Sequence, residues 1–236
     1  MREGRENRRT IVVSFSGIDG AGKSTQIDAL TSHLAEEDLR VHTIRFWDDV
    51  ARLKGIRETS GHKIFKGDKG VGSPSAPINR RDKNVQSGLM TCVRLFLYFV
   101  DAVSTRLAVR RMLASGFDLV IFDRYTYDEL ANLNLRNPLI RAYARLLMMF
   151  VPRPHISYVL DADPVQARAR KPEYPLEFLQ ANRQAYLQLA NLLGGMTVIA
   201  AMPVREVTAE VISHAVKKFS YDLVAHGDDR WAIQRQ

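Results

Sequence analysis

Residues 11–25 read IVVSFSGIDGAGKST, and the stretch changes character at Gly17. Its first six residues are a short β-branched run that ends at a glycine, which is typical of a buried parallel strand. A helical pattern follows the glycines and places Ile27, Leu30 and Leu34 on one face. The stretch therefore predicts a strand, a glycine-rich turn and a helix in direct succession.

The turn matches the pattern G-x-x-x-x-G-K-[ST] at every fixed position. Glycines let the backbone curl so that its N–H groups point inward around a phosphate, and the positive end of the next helix faces the same anion. Lys23 places a cation on the β- and γ-phosphates, and the Ser24 hydroxyl is positioned to ligate Mg²⁺. We therefore predict a P-loop that binds ATP. The expected ATP-binding residues are Gly17, Asp19, Gly20, Ala21, Gly22, Lys23, Ser24 and Thr25.

Four further apolar runs read as strands, at 41–46 (VHTIRF), 119–122 (LVIF), 156–160 (ISYVL) and 197–200 (TVIA). Longer helical patterns separate them. Alternation of strand and helix favours an α/β fold with a doubly wound, five-stranded parallel sheet. In such a sheet the ligand lies at the carboxyl ends of the strands.

The third strand leads into Asp123 and Arg124. An acid at the end of an apolar strand is typical of a Walker-B element, in which it holds Mg²⁺ directly or through water. An arginine next to it lies at the same sheet edge as the P-loop and can fork onto phosphate oxygens. Asp123 and Arg124 join Lys23 as catalytic candidates, and Asp123 joins Ser24 as a candidate metal ligand.

A helix rich in cations is predicted after the fourth strand. Asp163 is a good N-cap residue, and Pro164 suits the first position of the helix. The end of this helix contains Arg168, Arg170 and Lys171. Because a second helix follows the break, we predict a lid at 164–176 whose arginines stabilise transferring phosphates. The alternative is a charged helix face exposed to water.

The domain boundaries follow from composition. Residues 1–10 form a basic tail, 11–225 a single domain, and 226–236 a frayed tail. Residues 61–83 are rich in glycine, proline and basic side chains, and they break the strand–helix rhythm. This insertion is either a mobile surface segment or a basic flap that closes over an anionic substrate.

The formal net charge is +8, and Cys92 is the single cysteine. The basic excess carries no nucleic-acid motif, so we expect a small anionic metabolite as partner rather than nucleic acid, with a solvated basic surface as the explanation for the rest of the charge. The most apolar stretch, 89–103, is interrupted by Arg94 and Asp101 and is too short to span a membrane. We expect a cytoplasmic protein without membrane contact, in which Cys92 is buried filler.

With these residues in hand, the sequence resembles the thymidylate kinase family. The family opens with a phenylalanine and then G-x-D-G-x-G-K-S-T, as residues 15–25 (FSGIDGAGKST) do here. It carries Asp-Arg-Tyr after the third strand, here 123–125. Its lid precedes an E-F-L…R…Y helix, here 177–179 with Arg183 and Tyr186. The order and spacing hold across most of the chain.

The resemblance implies a P-loop nucleotide kinase fold, ATP and Mg²⁺ as cofactors, and often a homodimer. It also implies that Asp19 contacts the sugar and phosphate region of the acceptor and that Arg124 binds the acceptor phosphate. Family members without an arginine after the P-loop aspartate take a transition-state arginine from the lid. Gly20 occupies that place here, so Arg168 or Arg170 would supply the charge.

The chain departs from the family where the acceptor base is read. The second strand leads into 45–49 (RFWDD) instead of Arg-Glu-Pro-Gly-Gly. Asp101 is followed by Ala102 instead of arginine. After Asp-Arg-Tyr come residues 126–133 (TYDELANL) instead of serines and then Ala-Tyr-Gln. The insertion is also unusual for the family.

These departures leave three functional alternatives. In the first, the γ-phosphate of ATP passes to a nucleoside monophosphate, with dTMP as the leading acceptor. In the second, the acceptor is another nucleotide, a nucleoside or a non-nucleotide phosphate. In the third, the chain is a nucleotide-binding regulatory protein with decayed catalysis. Phe46 and Tyr98 are candidates to stack on the acceptor base, with a core role as their alternative.

Overall fold

The computed structural model describes residues 10–37, 39–50 and 88–224. The insertion predicted at 61–83 and both predicted tails, apart from Thr10, lie outside these ranges. The strands, helices and contacts given below are all formed by residues within these ranges.

The sheet has five strands, all parallel, in the order β2-β3-β1-β4-β5. The predicted fold class, an α/β fold with a parallel sheet flanked by helices, is confirmed. The second strand ends one residue earlier than predicted, because a π-helical turn begins at Phe46, and the third extends to Asp123. The strands are β1 (Ile11–Ser16), β2 (Val41–Arg45), β3 (Leu119–Asp123), β4 (Ile156–Leu160) and β5 (Thr197–Ile199).

Six α-helices and the π-helical turn Phe46–Val50 lie between these strands within the described ranges, and a seventh α-helix follows β5. The helix after the P-loop begins at Lys23, as predicted, and buries Ile27, Leu30 and Leu34. The helices are α1 (Lys23–Ala35), α2 (Gly88–Leu113), α3 (Thr126–Leu130), α4 (Pro138–Phe150), α5 (Pro164–Arg170), α6 (Leu176–Leu193) and α7 (Val204–Val224).

Apolar side chains cover both faces of the sheet. Val12 and Phe122 belong to one buried cluster, whereas Val13 and Ile121 belong to another. Since successive side chains of a strand point to opposite faces, this division places one cluster on each side of the sheet. Burying side chains of this size contributes about 1.5–3 kcal/mol each, which explains the near-continuous apolar runs in the sequence.

The strand order brings two sequence motifs together. β1 lies between β3 and β4, and Phe15 is in register with Asp123. The backbone N–H of Arg124 donates to the Phe15 carbonyl at 3.0 Å. The P-loop that follows β1 and the Asp-Arg-Tyr that follows β3 therefore meet at the carboxyl edge of the sheet, where the sequence predicts the ligand.

The buried position predicted for Cys92 is wrong, because the cysteine is exposed. The inward face of α2 carries Tyr98, Ala102 and Val109 at helical spacing, and Cys92 falls on another face. The helix has more apolar residues than inward positions, so large side chains such as Phe96 are also exposed. No helix in the described ranges is long and apolar enough to cross a membrane.

Candidate active site

The P-loop leaves the start of α1 open. Gly22 is the N-cap residue, with a φ of 89° in the left-handed region, and no side chain caps this helix end. The first turn also contains no acidic residue, and Ser24 and Thr25 are exposed. Uncapped N–H groups at a helix start, together with the positive end of the helix dipole, form an anion site. The residues present fit a phosphate group.

Lys23 lies buried beneath this loop and is only 7% exposed. Its Nζ donates to the carbonyl oxygens of Gly17 and Ile18, at 2.9 Å each. Burial, followed by the nearby charge of Arg124, lowers the pKa of Lys23 to about 8. The ammonium therefore sits where an additional anion stabilises its charged form.

Arg124 adopts a strained backbone conformation at the end of β3. Its φ of 72° makes it the one non-glycine residue in the left-handed region among those described. Such a conformation costs about 1–3 kcal/mol and persists only where surrounding contacts fix it. Here the backbone hydrogen bond to Phe15 anchors the residue against the P-loop strand.

The Arg124 guanidinium is held by one carboxylate at each terminal nitrogen. Nη2 forms an ion pair with Asp19 of the P-loop, and Nη1 lies 3.2 Å from Asp128. Burial opposes the charged form, but Asp128 and Asp19 more than offset it, so the pKa of Arg124 is raised above its ordinary value. The structure thus brings together three of the predicted site residues, Lys23, Asp19 and Arg124.

Asp128 is the residue of this cluster that the sequence reasoning missed. It is 2% exposed. Its carboxylate accepts hydrogen bonds from the Ser16 hydroxyl at 2.6 Å, the Tyr186 hydroxyl at 2.8 Å and the Tyr125 backbone N–H at 3.0 Å, beside its contact with Arg124. The spacing of four residues between Arg124 and Asp128 was the available signal.

Asp123 is the last residue of β3, and its side chain is half-buried. Its negative charge favours the charged forms of Lys23 and Arg124. Among the residues described, no group of three His, Cys, Asp or Glu side chains is arranged to hold a metal ion. A Mg²⁺ bound mainly by substrate phosphates and water needs only one or two protein oxygens. The Ser24 hydroxyl and the Asp123 carboxylate fit that requirement.

The helix predicted after β4 begins as expected. Asp163 accepts a hydrogen bond from the Gln166 N–H at 2.9 Å, with Pro164 at the first helical position, and α5 ends at Arg170. The Arg168 Nε is buried, and in the described part of the chain no acceptor pairs with it. Arg170 is exposed, so the two candidate arginines differ in environment.

The predicted lid segment also contacts the P-loop. Lys171 places its Nζ 4.0 Å from Asp19 and 3.3 Å from Glu173. The backbone of Gly20 packs directly against the backbone of Ala167 in α5. A cation following the lid helix thus shares the Asp19 carboxylate with Arg124.

Phe46 and Tyr98, the candidates for base stacking, lie in the core. They are 0% and 8% exposed and belong to the same buried cluster. Trp47 meets Phe46 edge-on with ring centroids 5.1 Å apart. This packing agrees with the core role given as the alternative, and we assign no base-stacking role to either residue.

No protein-family model matches the chain. Curated relatives do match it over most of their length. A probable thymidylate kinase of Pyrobaculum calidifontis is 27% identical over 212 residues, which cover 85% of this chain and 93% of the relative. Another from Methanosphaera stadtmanae is 24% identical over 211 residues, 88% of this chain and 97% of the relative. A thymidylate kinase of Bifidobacterium longum is 29% identical over 191 residues, 76% of this chain and 84% of the relative.

The sequence matches and the structure agree on the kind of protein. The matches are distant but extend across nearly whole chains. The parallel sheet carries the P-loop at the end of β1 and Asp-Arg-Tyr at the end of the neighbouring β3. Taken with the Arg124–Asp19 contact between these two motifs, they support a divergent member of the thymidylate kinase family of P-loop kinases.

Proposed function

We propose that the protein transfers the γ-phosphate of ATP to a nucleoside monophosphate, with dTMP as the leading acceptor. The observation that carries the proposal is the position of Arg124. It stands beside Lys23 and in contact with Asp19 of the P-loop, with its guanidinium largely buried. A cation fixed next to the donor site suits an acceptor that is itself a phosphate.

The protein itself forms no covalent bond in this reaction and acts by positioning and charge neutralisation. An oxygen of the acceptor phosphate attacks the γ-phosphorus in line, a new P–O bond forms, and the bond to the β–γ bridging oxygen breaks. Lys23 stabilises charge on the transferring group, and Arg124 orients the attacking phosphate. Mg²⁺, held by Ser24 and Asp123, would supply further charge neutralisation at the phosphates.

A lid arginine is the remaining element of this proposal. Arg168 is favoured over Arg170, because its Nε is buried without an acceptor in the described residues. A buried donor without a partner is costly, and a transferring phosphate at the site would satisfy it. Closure of the lid also excludes water, which suppresses wasteful hydrolysis of ATP.

A kinase with a different acceptor is the second candidate. It is supported by the buried carboxylates Asp101 and Glu129, both 0% exposed, in the segments that depart from the family pattern. In the family these segments read the acceptor base, so their different residues here favour a different acceptor. The donor half of the mechanism is the same for both candidates.

A coupled assay of ADP release distinguishes these candidates. The acceptors tested are dTMP, dUMP, CMP, GMP and deoxynucleosides, with Lys23→Ala as the negative control for P-loop chemistry. Turnover with dTMP supports the first candidate, and turnover with another acceptor but none with dTMP supports the second. Tight ATP binding without transfer to any acceptor identifies a regulatory nucleotide-binding protein. Wild-type turnover by Lys23→Ala contradicts the whole mechanism.

The homodimer and the cytoplasmic location also belong to this proposal, since the resemblance implies the first and composition the second. The chain has a mass of 26.8 kDa. Light scattering on the purified protein therefore separates a monomer from a species of twice that mass, and a monomer at all concentrations rejects the dimer.

A further inference from the structure

We propose that Asp128 is a positioning residue for Arg124: it holds one side of the guanidinium permanently, while Asp19 holds the other side only until an anionic acceptor replaces it. The inference rests on the proposed function, because it assigns Arg124 to the acceptor anion. It adds a residue from the segment in which this chain departs from its family, where serines are usual.

The contacts of Asp128 identify it as the fixed side. Its side chain is 1% exposed. It joins three elements, because it accepts from Ser16 at the end of β1, from Tyr186 in α6 and from the Tyr125 N–H that precedes α3. A carboxylate with this number of donors is well compensated for its burial and has little freedom to reorient.

The contacts of Asp19 identify it as the exchangeable side. Its side chain is 16% exposed and belongs to the P-loop, and Oδ1 lies 4.0 Å from Lys171 as well as pairing with Arg124. If a phosphate approaches Nη2, Asp19 loses its ion pair with Arg124 but remains close to Lys171. A phosphate oxygen is as good an acceptor for the guanidinium as a carboxylate, so the exchange costs little.

The charge of Asp128 matters as well as its shape. Arg124 is largely buried, and two carboxylates together hold its pKa above the ordinary value against the effect of burial. When the acceptor displaces Asp19, Asp128 remains to compensate the cation and to keep Nη1 in place. Preorganisation of this kind lowers the cost of orienting a binding group.

Nuclear magnetic resonance of arginine side chains tests the geometry without any substrate. In wild-type protein labelled with ¹⁵N-arginine, we expect resolved Nη signals for Arg124, assigned by their loss in Arg124→Lys. Asp128→Asn should merge them through faster rotation, because the amide nitrogen that replaces one oxygen faces either Arg124 Nη1 or the Tyr125 N–H, neither of which can accept. Asp19→Asn should leave the Nη1 signal ordered. Unchanged Arg124 signals in Asp128→Asn overturn the proposal.

Steady-state kinetics test the consequence for the acceptor found in the panel. We expect Asp128→Asn to raise the KM of the acceptor by about tenfold, which corresponds to the loss of one charged hydrogen bond, with the KM of ATP changed by less than about twofold. Asp128→Ser, which introduces the residue type usual in the family, provides a second variant if Asp128→Asn does not fold.

Asp118→Asn is the matched control. Asp118 is also a buried acid paired with an arginine, Arg40, but it precedes β3 at the opposite edge of the sheet. Its substitution should lower stability and leave both KM values unchanged. An equal rise of both KM values in Asp128→Asn, or an acceptor KM equal to that of wild type, contradicts a positioning role.

Inorganic phosphate separates this proposal from the proposed function. If the panel yields no acceptor, the proposed function fails, but phosphate can still be titrated against the Nη2 signal of Arg124. A saturable shift that Asp128→Asn weakens by about tenfold supports the positioning role on its own. The absence of any saturable shift in wild type, or the same affinity in both proteins, overturns it.

Discussion

A Cβ atom built on Gly20 would overlap the carbonyl oxygen of Ala167, so the P-loop and α5 are in backbone contact. Gly20 also has a φ of 81°, a conformation that other residues adopt at a cost. The two restrictions together mean that only glycine fits this position while α5 stays where it is. An arginine there requires α5 to move away from the loop.

Substitution of this glycine should therefore affect the lid. We expect Gly20→Ala to lower the unfolding free energy by more than the roughly 1–2 kcal/mol that a left-handed alanine costs. Gly194→Ala is the control, because Gly194 has a φ of 64° and no atom within 4 Å of a built Cβ. Denaturant melts of both variants measure the difference, and equal losses show that the contact with Ala167 contributes nothing.

The pKa of Lys23 predicts how ATP binding depends on pH. In the free protein this pKa is about 8, and bound phosphates favour the charged form and raise it. Affinity should therefore be constant below that value and fall above it, by up to about tenfold per pH unit. Calorimetric titration of ATP from about pH 7.5 to about pH 9.5 measures this decline.

Lys23→Arg is the control for this titration, because arginine keeps its charge throughout the same range. The variant is expected to bind ATP more weakly at neutral pH but with little further loss at high pH. A wild-type affinity that stays flat across the range contradicts the lowered pKa.

The two lid arginines should differ in their effect on turnover. Arg168→Ala is expected to lower kcat by about 10²-fold or more, since an interaction made mainly in the transition state is lost. Arg170→Ala should lower it only a few-fold, because Arg170 is exposed at the end of α5. The coupled assay with the best acceptor measures both variants, and the reverse order assigns the role to Arg170.

Cys92 should react in the folded protein. It is exposed on α2, so a thiol reagent such as dithiobis-nitrobenzoate should label one equivalent without denaturant. Cys92→Ser provides the blank, and its unfolding free energy should match that of wild type within about 0.5 kcal/mol, as for other surface substitutions. Labelling that occurs only in denaturant would show that Cys92 is buried.

The sequence by itself determined those features that depend on neighbouring residues. The apolar runs placed all five strands to within a residue or two, and the glycine pattern placed the start of α1 at Lys23. Asp163 and Pro164 placed the start of α5. Strand formation, helix capping and phosphate-binding loops carry local signals, because the physical interactions that produce them act within a few residues along the chain.

Only the tertiary structure decided which side chains surround Arg124. Asp128 meets Ser16 across 112 residues of sequence and Tyr186 across 58. These contacts exist because β1 lies between β3 and β4, which brings the ends of separate strands to one edge. Gly20 meets Ala167 for the same reason. No local pattern encodes such proximity, since it follows from the order in which the strands assemble.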